Sequence, residues 1–78
     1  MKARIIVTLK QSVLDPQGQA IEGALAALGF DGIGSVRQGK IIDIELSDST
    51  DAEARLKAMC EKLLANTVIE DYRVEMVG

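Results

Sequence analysis

The apolar residues of this 78-residue chain are spaced two apart in some segments and at helical intervals in others, and the order of those segments limits the folds open to it. Residues 2 to 10 alternate. Ile5, Val7 and Leu9 share one face, Arg4, Ile6, Thr8 and Lys10 the other, and the β-branched content supports a strand. Gln11 to Leu14 connect it to a helix that starts at Asp15-Pro16. An Asp N-cap accepts bonds from free backbone N–H groups, and Pro at the first helical position gives up an N–H that has no partner. Ile21, Ala24, Leu25 and Leu28 follow helical spacing. Gly29 suits the left-handed residue beyond the helix end, with Phe30 folding back onto Leu25. The opposite face, Gln19, Glu22, Gly23, Ala26 and Ala27, is small and weakly charged. Alanine favours helix by itself, and close packing of another backbone would also account for it.

Asp31-Gly32 signals a turn. Two strands are expected next, Ile33 to Val36 and Ile41 to Leu46, joined through Arg37-Gln38-Gly39-Lys40, where Gly39 supplies the positive φ of a tight hairpin. Ile42, Ile44 and Leu46 point one way; Ile41, Asp43 and Glu45 point the other. Thr50 with Glu53 fits a capping box. Leu56, Met59, Cys60, Leu63 and Leu64 make the buried stripe of a second helix whose outer face is Lys57, Ala58, Glu61 and Lys62, and Asn66 suits its C-terminus. Tyr72, Val74 and Met76 alternate with Arg73, Glu75 and Val77 in a last strand. The order βαββαβ predicts a single α+β domain over 1–78, a ferredoxin-like antiparallel sheet with both helices on one face. The open face would then carry Ile6, Ile41 and Val77 among charges. A domain this short buries only about 60% of its unfolded surface and gains stability by associating. A homodimer or a higher even-numbered assembly is therefore expected, paired through that face.

Composition narrows the function. The net charge is −3, so the basic footprint of a nucleic-acid binder is missing, and Phe30 and Tyr72 are too few for a stacking RNA platform. The chain has no His, which excludes Ser-His-Asp and Cys-His catalysis and His-ligated zinc within it. Cys60 is the one cysteine, so no internal disulfide forms, and its place on an apolar stripe makes it a packing residue. No signal peptide and no apolar run near the ~20 residues of a membrane span is present, so the expected location is the cytosol. Asp43 and Glu45 share a strand face and could pair as acids, although no third ligand is evident for a metal. The glycines match no nucleotide fingerprint. Arg37 to Lys40 is either a solvated hairpin or a partner contact. Tyr72 either packs its ring with the hydroxyl at the rim or meets a partner. No catalytic, cofactor-binding or metal residue is assigned. A small-molecule-sensing dimer remains the rival reading.

Several segments together resemble the PurS family, the small subunit of phosphoribosylformylglycinamidine synthase. They are Ile6-Val7-Thr8-Leu9-Lys10, Val13-Leu14-Asp15-Pro16-Gln17-Gly18, Leu28-Gly29-Phe30, Val36-Arg37-Gln38-Gly39-Lys40, Cys60 to Asn66 and Val68-Ile69-Glu70-Asp71-Tyr72. Thr67 departs from the Pro of many members. The resemblance implies a non-catalytic subunit that bridges a glutaminase and a large synthetase and assists ammonia transfer. In that setting ATP and Mg sit on the synthetase, and no cofactor is expected here. It makes Asp15, Pro16, Gln17, Gly18, Arg37, Gln38, Gly39, Lys40 and Tyr72 the candidate partner interface.

Overall fold

The computed structural model describes residues 1–77. Three strands form one antiparallel sheet: β1 (Lys2–Leu9) lies centrally between β2 (Gly39–Glu45) and β3 (Glu70–Met76). Helix α1 (Pro16–Ala27) joins β1 to β2, and α2 (Ala52–Met59), continued by a π-helix over Cys60–Leu64, joins β2 to β3. The α+β class expected from the sequence holds. The strand faces hold as well. Ile5 pairs with Ile42 and Val74, and Val7 with Lys40 and Tyr72, on the face that α2 covers. On the open face Ile6 sits opposite Ile41 and Arg73, and Arg4 opposite Asp43 and Glu75.

The strand expected over Ile33–Val36 does not form. A twelve-residue helix is about 18 Å long. The chain must travel back along it to reach β2, and extended residues cover about 3.3 Å each. Residues 30–36 can span that distance and bring Val36 back beside Gly18 at the root of α1, so they form no strand for β2 to hairpin with. Arg37 and Gln38 continue straight into β2, and Gly39 and Lys40 are already its first residues. Gly39 is required for a different reason from the one expected: a Cβ there would lie 2.6 Å from the Val7 carbonyl oxygen.

The core is Ala3, Ile5 and Val7 under Leu56, Cys60, Ala52, Ala65 and Leu46. No α1 residue joins it, and Gly18 is the only buried residue of that helix. The α1 face of Ile21 and Leu28, expected to be core, is exposed. α1 ends as expected: Gly29 has φ +91°, its N–H bonds to the Ala26 carbonyl, and the Phe30 N–H closes on the Leu25 carbonyl. With α1 projecting, the molecule spans 50 × 26 × 15 Å. Its radius of gyration of 15.9 Å exceeds the roughly 11.5 Å of a compact domain of this length.

The second helix departs from expectation at both ends. The Thr50–Glu53 box is absent. Helix α2 starts at Ala52, one residue too late for Thr50 to cap it, and the Thr50 N–H is already taken by Asp48 Oδ1. At the other end the Ala65 N–H bonds to the Cys60 carbonyl five residues back. That wider turn places Ala65 in the core after Cys60 and turns Leu63 outward, 82% exposed. Asn66 then forms the turn into β3, its Oδ1 accepting the Val68 N–H.

Leu56→Ala is expected to lower unfolding free energy by about 2–5 kcal/mol, the usual cost of a core cavity. Leu63→Ala should change it by less than about 0.5 kcal/mol. Urea denaturation of the two variants checks the π-helical register; equal losses would contradict it.

Candidate functional site

The root of α1 is fixed by one buried carboxylate. Asp15 is 4% exposed and stands as N-cap in extended backbone. Its Oδ1 accepts the Gly18 N–H at 2.9 Å, an ordinary cap bond. Its Oδ2 accepts the Gln38 N–H at 2.6 Å, from the segment entering β2. One side chain thus bonds the start of α1 to the return of the chain. These two amide donors hold the Asp15 carboxyl below the usual carboxylate range, against the opposing effect of burial.

Neighbouring residues tighten this clasp. The Arg37 guanidinium donates to the Lys10 carbonyl at 2.9 Å and to the Val13 carbonyl at 2.8 Å, closing the Gln11–Leu14 connector. Gln38 donates its amide to Gln17 Oε1. Gly18 lies so close to the return segment that a Cβ would fall 2.2 Å from the Val36 carbonyl oxygen. Asp15, Gly18, Arg37 and Gln38, expected as partner contacts, are therefore brought together as an internal joint. Pro16, Gln17 and Lys40 stay exposed around it. Lys40 and Tyr72 flank Val7 in one cross-strand row. The Tyr72 ring is half-buried against the core, and its hydroxyl donates to Glu61 Oε2 at 3.0 Å. A cleft of 210 Å³ between the clasp and the sheet includes Gln17, Lys40 and Glu70 in its walls. It falls below the roughly 300 Å³ at which small-ligand pockets begin.

The other sequence candidates separate. Asp43 and Glu45 do not converge on each other: Asp43 accepts from Arg4 at 2.9 Å and Glu45 meets Lys2 at 3.9 Å. The Arg4 hydrogen bond and charge hold the Asp43 carboxyl low. Cys60 is fully buried, and burial pushes its thiol up, away from the reactive thiolate. Ile6 is half-buried on the open face, while Ile41 and Val77 are exposed there.

Sequence reasoning missed Lys10, Val13 and Val36, whose backbone carbonyls complete the clasp and which no side-chain pattern marks. It also missed the apolar surface of the arm, Leu28, Phe30 and Ile33. The small, weakly charged outer face of α1 was the one available signal.

The chain matches, over residues 2–78, the family model PurS, described as phosphoribosylformylglycinamidine (FGAM) synthase. It is 49% identical over 76 residues to the Bacillus subtilis synthase subunit PurS, covering 96% of this chain and 90% of that one. It is 51% identical over 73 residues to the Mycobacterium leprae subunit, covering 94% and 91%. Among solved structures, a C2 crystal form of Bacillus subtilis PurS superposes with a TM-score of 0.88 at 49% identity, over 95% of this chain and 94% of that one. A PurLQS structure from Thermotoga maritima gives 0.81 at 34% identity, over 97% and 95%.

Asp15→Asn should lower stability at neutral pH. An unfolded Asp titrates near pH 3.9, as a typical value. The folded carboxyl titrates lower, so its contribution is complete above the unfolded value and is lost as pH falls through the folded one. The gap between the parent and Asp15→Asn, measured by denaturation from pH 7 downward, should therefore close in acid. A gap independent of pH would contradict the clasp.

Proposed function

The chain belongs to the PurS family of phosphoribosylformylglycinamidine synthase, which serves purine biosynthesis, and from that premise we propose that it acts as a non-catalytic bridge within the synthase complex. In this reading a PurQ-type glutaminase releases ammonia. A PurL-type synthetase uses ATP to activate the amide oxygen of formylglycinamide ribonucleotide, and ammonia displaces the phosphate. The present chain holds the two subunits in register. Free ammonia is mostly protonated in neutral water and then is not a nucleophile, so a water-excluding junction between the subunits preserves the reactive form.

The observation that carries this reading is the clasp-held arm. Its joint is built from bonds that fix direction, and its exposed surface is mainly apolar and amide, with Asp31 as its exposed charge. A bridge needs shape and complementary surface, and this arm supplies both. Among the described residues no cluster of three His, Cys, Asp or Glu side chains could hold a metal ion. Nucleotide and cation belong, in this proposal, to the synthetase. The exposed residues beside the clasp, Pro16, Gln17 and Lys40, remain the proposed partner contacts. Asp15, Gly18, Arg37, Gln38 and Gly39 set their positions, and Tyr72 braces the sheet beneath them. The cytosol is the proposed location; among the described residues no helix is long and apolar enough to cross a membrane.

We also propose that the chain works as a homodimer or a higher even-numbered assembly. The open sheet face supports self-association, with Ile6 opposite Ile41 and Val77 exposed nearby.

Reconstitution tests the bridge. Without this chain, glutamine-dependent synthesis by the other two subunits should fall to the background, while synthesis from added ammonia persists. Lys40→Glu should weaken assembly without changing the chain's own unfolding curve. Full glutamine-dependent activity in the absence of the chain, or turnover by the chain alone, would overturn the reading.

A further inference from the structure

The tip of the arm carries an aspartate whose carboxyl and following backbone nitrogen are both free. Asp31 and Gly32 are exposed, lie outside every helix and strand, and belong to the leg that returns from α1 to β2. Among the described residues no backbone hydrogen bond takes the Gly32 N–H, and Asp31 enters none of the ion pairs. Gly32 has φ +75°, and nothing lies within 4 Å of the place a Cβ would occupy. A residue without a side chain turns freely about φ, so its nitrogen can swing toward the carboxyl beside it.

We infer that Asp31–Gly32 is a modification site, at which the folded chain isomerises to isoaspartate without an enzyme. The Gly32 nitrogen attacks the side-chain carboxyl carbon of Asp31. A new N–C bond closes a succinimide ring, and the carboxyl hydroxyl leaves as water with the amide proton. Water then opens the ring. Attack on the side-chain carbonyl restores aspartate. Attack on the main-chain carbonyl leaves the backbone running through the side-chain carbon, with one more methylene in the chain and a free α-carboxylate. No oxidant, reductant or cofactor is consumed, and mass is that of the parent. The product presents the group that repair carboxyl methyltransferases esterify with S-adenosylmethionine, so the aged chain is a substrate for an enzyme of that class.

The structure separates this site from the other aspartates. Asp15 precedes Pro16, whose nitrogen has no hydrogen to give up, and both of its oxygens are held in the clasp. Asp43 and Asp71 lie within strands, before the bulky Ile44 and Tyr72, where the ladder fixes the backbone. Asp48 accepts at its Oδ1 from the Thr50 N–H and from Arg55. The nitrogen after Asp51 belongs to Ala52 and donates to the Ser49 carbonyl at 3.3 Å.

The position gives the change a consequence. The leg from Phe30 to Val36 brings the Val36 carbonyl beside Gly18, just before the Gln38 N–H reaches Asp15. A methylene added at Asp31 lengthens that leg and displaces Phe30 from Ile33, two exposed apolar residues of the arm.

Ageing the whole chain at neutral pH tests the site. Peptide mapping with electron-transfer fragmentation locates isoaspartate, and methyl transfer from labelled S-adenosylmethionine by a purified isoaspartyl methyltransferase measures its amount. Asp31 should isomerise in the folded chain at close to its rate in guanidinium-unfolded chain, while the other aspartates isomerise only when unfolded. Gly32→Ala should slow the reaction severalfold. Asp31→Glu should remove it, because the longer side chain closes its ring far more slowly; this variant carries the test should alanine strain the left-handed backbone at Gly32. An Asp31 that is stable in the folded chain and isomerises only in guanidinium would overturn the inference. So would isoaspartate spread alike over all the aspartates of the folded chain.

Discussion

The carboxylate of Asp15 decides the shape of this molecule. It accepts one N–H from the first turn of α1 and another from the segment that enters β2. A buried, ionised acceptor forms stronger hydrogen bonds than a neutral one, and both of its oxygens are used. Everything outside the small sheet-and-helix core depends on that junction: the direction of α1, the return of the chain to its root, and the entry into β2. Gly18 permits it by the absence of a side chain, and Arg37 closes the connector beside it.

A chain of this length could have folded α1 over its own sheet, as the expected two-helix layer implied. Instead α2 alone covers Ala3, Ile5 and Val7, and the first helix stands away with its apolar residues exposed. Exposed apolar surface that a rigid joint holds in place is a feature of proteins whose partners complete them. Membership of the PurS family, a subunit of a larger synthase, fits that physics. The open sheet face has another character. Its charges are paired across strands, as in Arg4 with Asp43, and such exposed pairs contribute little to stability.

Much of the core was legible in the sequence because it rests on local patterning. Alternation placed Ile5, Val7, Ile42, Ile44, Tyr72 and Val74 on the correct face, and Asp15-Pro16 and Leu28-Gly29 marked both ends of α1 correctly. What was not legible depends on contacts distant in sequence or on backbone geometry. Asp15 reads as a cap, and nothing in its neighbourhood announces that its second oxygen reaches Gln38. Ile33 to Val36 has strand-like residues, yet a strand needs a neighbour and the return path gives it none. Leu63 has helical spacing from Leu56, but the π turn after Cys60 changes the period on which that spacing relied. The candidate site was located in the right segments, but the joint that Asp15, Gly18, Arg37 and Gln38 build there was not legible, because its bonds join residues about twenty apart in sequence.

If α1 is held outward and covered only by another molecule, its amides must report whether that molecule is present. Hydrogen exchange across Ile21 to Phe30 can be followed from dilute isolated chain to concentrated chain and then to the assembled synthase. These amides should be weakly protected in the dilute chain and slow markedly on association, while β1 stays protected throughout. Protection of α1 as strong as that of β1 at every dilution would mean that the helix is covered by its own chain, and the outward arm would have to be abandoned.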